Sequence, residues 1–308
     1  MRQSQTVIKE FPMARKRIGE AVASGRILIS DGAWGTFLHS KGLKPGECPE
    51  SWCLEKPESV LDIARSYIEA GADMIETNSF GASSFKLTHY GLEGRSMDLN
   101  KAAAAISRQA AGPDRWVIAS AGPTGKLLVM EDVTAPELYE AFKIQALAFE
   151  AGGADAICIE TMSDISEAVE AIKAAKENTS LEVICTFTFE KTVQGDYRTM
   201  MGVSPEDATR AIIAAGADII GANCGNGMER MIDIVAQIRA VAPGIPILVH
   251  ANAGLPCNIE GKTVFPETPA DMASFVPAIV KAGANIIGGC CGTTPAHIAE
   301  MKKAVMAL

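Results

Sequence analysis

Histidine is scarce in this chain: four residues in 308, His39, His89, His250 and His297, in no spacing that suits a metal. Zinc sites that activate water draw on histidine and a general base, so metal-dependent hydrolysis finds little support. Positive charge is also short. Lys and Arg number 28 against 37 Asp and Glu, a formal net charge of −9, whereas a nucleic acid or an anionic membrane needs a basic surface. No apolar run approaches the roughly 20 residues that span a bilayer. The N-terminus carries Arg2, Lys9, Arg15, Lys16 and Arg17 around Pro12, without the apolar stretch of a secretory signal. Eight cysteines are too sparse for a disulfide scaffold. The expectation is a reduced, cytoplasmic protein with no nucleic-acid or membrane partner.

What is present is a loose fourfold repeat. Ala70-Gly71-Ala72-Asp73, Gly152-Gly153-Ala154-Asp155, Ala215-Gly216-Ala217-Asp218 and Ala282-Gly283-Ala284-Asn285 each close a helix-like stretch and open an apolar run. Glycine supplies the left-handed position that ends a helix, so the unit reads as helix, tight turn, buried strand. Eight strands are predicted: Ile27–Asp31, Met74–Asn78, Trp116–Ala121, Ala156–Glu160, Val183–Phe189, Ile219–Cys224, Ile247–Asn252 and Ile286–Cys291. Their apolar runs are continuous, as parallel strands covered by helices require. Thr134-Ala135-Pro136-Glu137, Ser204-Pro205, Thr268-Pro269 and Thr294-Pro295 read as helix starts. The predicted fold is a single (β/α)8 TIM barrel over residues 27–308 with a short N-terminal helical extension over residues 1–26. A doubly wound sheet is the runner-up, but Asp31-Gly32-Ala33-Trp34-Gly35 is no phosphate-binding fingerprint.

Barrel enzymes place their chemistry at the C-terminal strand ends. There this sequence sets Asp31, Glu76, Asn78, Glu160, Asn223, Cys224, Asn252 and the adjacent pair Cys290-Cys291. Adjacent cysteines make a strained disulfide but converge readily on a soft cation. Cys224, in a turn like that of the pair and on an alternate strand, completes three thiolates. That is the ligand set of a zinc site with one open position. The competing readings are a closed structural zinc or core packing; a structural site wants a fourth ligand, and His297 sits on the following helix. Cys158 and Cys185 lie inside apolar strands, and Cys48, Cys53 and Cys257 have no partner at ligand spacing.

Zinc on three thiolates is a weak Lewis acid, suited to holding a substrate thiol as a thiolate rather than to making hydroxide. Alkyl transfer to sulfur is the reaction this favours. Asp31 and Glu160 read either as rim salt bridges and caps or as acceptors for an α-ammonium group. The turn from Gly32 through Thr36 offers backbone N–H groups to a carboxylate.

The stretches Asp31–Thr36, Glu76–Gly81, Gly122–Gly125, Gly221–Cys224, Asn252–Gly254 and Gly288–Pro295 occur in the order found in one family. From about residue 27 onward the chain resembles the homocysteine S-methyltransferases, and most closely the homocysteine-binding module of cobalamin-dependent methionine synthase. The resemblance implies zinc on Cys224, Cys290 and Cys291 and L-homocysteine as methyl acceptor. It further implies Asp31 and Glu160 at the amino group and Gly32–Ala33 at the carboxylate; Asn78 and Asn223 join the expected substrate-binding set. In the cobalamin-dependent enzyme further modules follow, whereas this chain stops at Leu308. The expected donor is therefore a methyl-corrinoid on a separate cobalamin protein. S-methylmethionine, S-adenosylmethionine or a betaine is the alternative donor, and a thiol- or metal-binding module of a larger methyltransferase complex is the non-enzyme alternative.

Overall fold

A computed structural model of the chain describes residues 16–259 and 261–308. The repeat turns behave as read: Gly71, Gly153, Gly216 and Gly283 all have positive φ, between 88° and 123°, and each turn delivers the chain into a strand. The strands are β1 Leu28–Ile29, β2 Met74–Ile75, β3 Trp116–Ala121, β4 Ala156–Met162, β5 Glu182–Phe187, β6 Ile219–Asn223, β7 Ile247–Ala251 and β8 Ile286–Gly289. They pair in parallel in the order β1-β8-β7-β6-β5-β4-β3-β2. Helices between successive strands cover the outside, and the sheet closes on itself. This is a (β/α)8 barrel, not a doubly wound sheet.

β1 and β2 close the barrel through one backbone bond and two bonds to carboxylate side chains. The Asp73 N–H donates to the Ile29 carbonyl at 2.7 Å, and the Ile29 N–H donates to Asp73 Oδ2 at 2.9 Å. One turn further up, the Glu76 N–H donates to Asp31 Oδ2 at 2.9 Å. These bonds stand in for a ladder that β1 and β2 are too short to build.

The Asp73 arrangement recurs three times, which the repeat alone did not reveal. Val117 N–H donates to Asp155, Val183 N–H to Asp218 and Ile247 N–H to Asn285, at 2.7–3.0 Å. Each acceptor is held by a basic side chain: Lys302 on Asp73, Arg108 on Asp155, Lys176 on Asp218 and Arg239 on Asn285. Thus the final residue of every tetrad clasps the preceding odd strand, and a helix anchors the clasp. All four lie at the N-terminal end of the barrel, where stability rather than chemistry resides.

The same end is plugged by the helix Ile18–Ala23. Its Ile18 and Ala21 join Leu28, Met74, Ile118, Cys158 and Leu248 in the inner core. Glu182 accepts the Ile18 and Gly19 N–H groups at 2.6 and 3.0 Å, satisfying donors that a helix start leaves open. The expected N-terminal extension is seen only in this part, residues 1–15 lying outside the described residues.

Most predicted strands run beyond the ladder at their C-terminal ends, because the backbone there turns away to form the loops that carry Asp31, Asn78, Cys224 and Cys290. The loops after β5 and β7 also contain short antiparallel hairpins, Glu190–Lys191 with Tyr197–Arg198 and Cys257–Ile259 with Lys262–Val264. No strand was predicted there. Among the described residues no helix is long and apolar enough to cross a membrane.

Asn285 shows that an amide serves in the clasp as well as a carboxylate. Asp73→Asn is therefore expected to cost under about 1 kcal/mol, and Asp73→Ala about 2–3 kcal/mol by orphaning the Ile29 N–H and Lys302. Urea unfolding of the two variants measures the difference.

Candidate active site

The end of β7 organises the mouth of the barrel. Cys224 N–H donates to the His250 carbonyl at 2.9 Å, Cys290 N–H to the Ala251 carbonyl at 2.7 Å, and Ala253 N–H to the Cys291 carbonyl at 3.0 Å. Both cysteine-bearing turns are thereby tied to one strand. The Cys224 and Cys291 sulfurs stand 4.0 Å apart, and the three sulfurs lie within 4.8 Å of one another. Tetrahedral ligands with zinc–sulfur bonds of about 2.3 Å would sit about 3.8 Å apart, so the cluster has the right size. Among the described residues no histidine or carboxylate joins it. His297 is spent elsewhere, its Nδ1 on Thr294 and its Nε2 3.0 Å from the Glu267 carbonyl.

Within the cluster, S–H bonds from Cys290 and Cys291 and the Asn252 amide hold Cys224 well below the ordinary thiol range. Asn252 Oδ1, buried beside it, has no hydrogen-bond partner. Cys224 also has φ +57°, a left-handed conformation that its backbone bonds to β7 hold in place.

A second strained residue shapes the opposite wall. β4 carries a bulge between Ile159 and Met162, one residue longer than the β5 segment it faces, and Thr161 there has φ +60°. For a β-branched side chain this is a costly conformation. Asn223 maintains it, accepting the Thr161 N–H at 2.8 Å and donating to Thr161 Oγ1 at 2.7 Å. Glu160 shares the inner face of β4 with Ala156 and Cys158 and points into the mouth, where Ser120 Oγ and Asn223 Nδ2 each donate to one of its oxygens.

Between these walls lies a cavity of about 270 Å³, lined by the three cysteines, Glu160, Glu76, His250, Asn78 and the turn from Gly32 to Thr36. A larger groove of about 780 Å³ opens at the N-terminal end, but its Glu182, Asp218, Arg239 and Asn285 already serve the clasps and the plug.

The structure gives three expected substrate contacts other work. Asp31 is 1% exposed and does not line the cavity; its carboxylate accepts Trp34 Nε1, the Glu76 N–H and Ser30 Oγ. Asn223 is fully buried, and all its amide capacity goes to Glu160, Thr161 and Thr186. Ala33 lines the cavity, yet its N–H donates to Thr293 Oγ1 at 3.0 Å. Gly32 remains in the wall, and the first N–H groups of the helix Gly35–Ser40 have no intrahelical partner. Asn78 lines the wall and binds the Pro49 carbonyl at 2.8 Å.

Sequence reasoning set Glu76 among the strand ends without giving it a role, and missed His250 and Thr293. Thr293 Oγ1 donates to the Cys290 carbonyl at 2.7 Å, so it links the cysteine pair to the Gly32 turn. His250 fits because Gly288 has no side chain: a Cβ there would stand 2.7 Å from the imidazole and 2.8 Å from the Asp31 carbonyl. The usable signal was a histidine two residues before Asn252, on the strand between the two cysteine strands.

The model of one family, described as homocysteine S-methyltransferase, matches residues 28–305. The chain belongs to the homocysteine S-methyltransferase family. Methionine synthase of Mycobacterium tuberculosis is 33% identical over 302 residues, which cover 92% of this chain and 25% of that protein. Methionine synthase of Mycobacterium leprae is 32% identical over 294 residues, covering 91% and 24%. The chain thus spans about a quarter of the length of these relatives. The metallated form of the homocysteine methyltransferase MmuM from Escherichia coli superposes with a TM-score of 0.75 at 22% identity, covering 92% of this chain and 98% of that one. At that identity the likeness concerns the fold.

Beneath the mouth, burial and the neighbouring Glu76 push Asp31 up to about 7, and burial pushes Glu76 up to about 8. A carboxyl raised on folding contributes stability below its unfolded pKa, and that contribution is lost as pH rises through the folded value. The metal-free protein is therefore expected to lose stability between about pH 4 and pH 8. Glu76→Gln should reduce that loss by roughly 1–3 kcal/mol, measured by urea unfolding across the range.

Proposed function

We propose that this chain methylates L-homocysteine on sulfur to give methionine, with zinc held by Cys224, Cys290 and Cys291. The observation that carries the reading is three clustered thiols, joined among the described residues by no histidine or carboxylate, opening onto a cavity whose other wall presents Glu160. Zinc bound there supplies a soft, weakly acidic centre that lowers the pKa of a substrate thiol and keeps its sulfur nucleophilic.

The chain's own residues supply the positioning. The Asn252 amide supports Cys224 as a thiolate. Glu160, oriented by Ser120 and Asn223, faces the cavity as an acceptor for the substrate ammonium. The free N–H groups of the Gly32–Thr36 turn suit its carboxylate. Asp31 acts from behind the wall, fixing the turn through Trp34 and the β1–β2 seam through Glu76.

For the donor we propose a methyl-corrinoid presented at the mouth by a cobalamin protein. This rests on the resemblance to cobalamin-dependent methionine synthase and on the open C-terminal face above the thiols. S-methylmethionine, S-adenosylmethionine and betaine are the rival donors.

The purified chain is expected to bind one zinc, with three sulfur ligands by zinc-edge X-ray absorption and four when homocysteine is added. Cys290→Ala should lose zinc and reduce methyl transfer at least about 100-fold. Unchanged sulfur coordination on adding homocysteine would reject the reading. Assaying methylcobalamin, a methyl-corrinoid protein, S-methylmethionine, S-adenosylmethionine and betaine side by side assigns the donor.

A further inference from the structure

The loop that follows β7 ends in the segment Phe265-Pro266-Glu267, which lies against both cysteine turns. Gly292, directly after Cys291, has φ +82°, and a Cβ there would stand 2.3 Å from Phe265 Cβ. Phe265 itself packs against the core. Gly227, three residues after Cys224, meets the other end of the segment. A Cβ on it would stand 2.8 Å from Glu267 Oε1 and 3.0 Å from the Gly254 Cα.

Glu267 fastens this strap in three directions. Its N–H donates to the Ala253 carbonyl at 2.9 Å, and the Ala253 N–H donates in turn to the Cys291 carbonyl. Its own carbonyl lies 3.0 Å from Nε2 of His297, on the helix Pro295–Met306 that follows the cysteine pair. Its carboxylate accepts the Met228 N–H. That bond caps the helix Met228–Val241 after Cys224, where Gly227 offers no side chain to do so. The placement is costly. Burial, then the nearby Asp271 and Glu229, push the Glu267 carboxyl up, and its Oε2 is buried without a hydrogen-bond partner.

We infer that Phe265 and Glu267 are positioning residues for the thiol cluster: their strap clamps the Cys224 turn to the Cys290-Cys291 turn and sets how long a metal stays there. Neither residue lines the cavity, so they act through the turns and not on a substrate. This rests on the three-thiol zinc reading and adds to it. β7 already fastens the same turns by backbone bonds. The strap is a second fastening, made largely by side chains, and so the one that substitution can release. A metal held by three thiolates leaves only when one of them swings away, and tying the turns together opposes that motion. Residues that hold ligands in place are worth about 10- to 100-fold in metal affinity.

The test follows zinc release from the zinc-loaded full chain to excess chromogenic chelator, alongside urea unfolding of the metal-free chain. Glu267→Ala and Phe265→Ala are each expected to speed release about tenfold or more. So is Gly227→Ala, which at φ −78° has a backbone that tolerates alanine but whose Cβ displaces the strap. Glu267→Gln keeps an acceptor for the Met228 N–H and should restore most of the wild-type rate, as should Phe265→Leu, which keeps bulk over Gly292. Asp73→Ala, at the far end of the barrel, is the control: it should lose stability yet release zinc as wild type does. Unchanged release in Glu267→Ala and Gly227→Ala overturns the assignment. So does release in Asp73→Ala as fast as in the strap variants, which would mark the effect as general destabilisation. If wild type binds no zinc, the zinc reading itself fails and takes this assignment with it.

Discussion

The site depends on the end of β7. One strand terminus accepts backbone hydrogen bonds from Cys224 and Cys290 and donates, through Ala253, to Cys291. Three sulfurs are thereby collected from two strands that do not touch. Such a cluster repels itself when ionised, so it needs a scaffold that does not relax when the charge changes. Backbone bonds between parallel strands provide that rigidity better than side chains, which would cost rotamer entropy to hold. β7 also carries His250 and leads into Asn252, and each has a buried polar atom without a hydrogen-bond partner.

Local strain is concentrated where it aims a functional group. Thr161 at φ +60° and Cys224 at φ +57° are two of only three non-glycine residues with positive φ among the described residues. Asn223 lies between them in function, its side chain holding the first and its backbone leading into the second. The third, Glu131, sits in an ordinary loop. A residue whose amide is entirely consumed by such duties cannot also bind substrate, and this is why Asn223, though at a strand end, works from behind the wall.

Much of this was legible in the chain. Repeated glycine turns and continuous apolar runs give the barrel, and the Gly-Cys turns after β6 and β8 point to one mouth. Orientation was not legible. Asp31 and Glu160 look equivalent as acidic strand ends, but Glu160 follows Cys158 on the inner face of β4, while the missing β1–β2 ladder draws Asp31 into the seam. Glu76 shares the inner face with Met74, but nothing in its sequence context marks a role for it. His250 reads as one more apolar-strand residue until Gly288 is seen to leave room for its ring.

The fourfold clasp at the other end of the barrel has a wider consequence. Asp73, Asp155, Asp218 and Asn285 fasten the strands in pairs, each unit anchored by its own base, and none of these residues reaches the thiols. Folding and chemistry are therefore written in separate vocabularies within the same strands. Such a chain can alter its upper loops, and with them its choice of partner or acceptor, without renegotiating the foundation on which they stand.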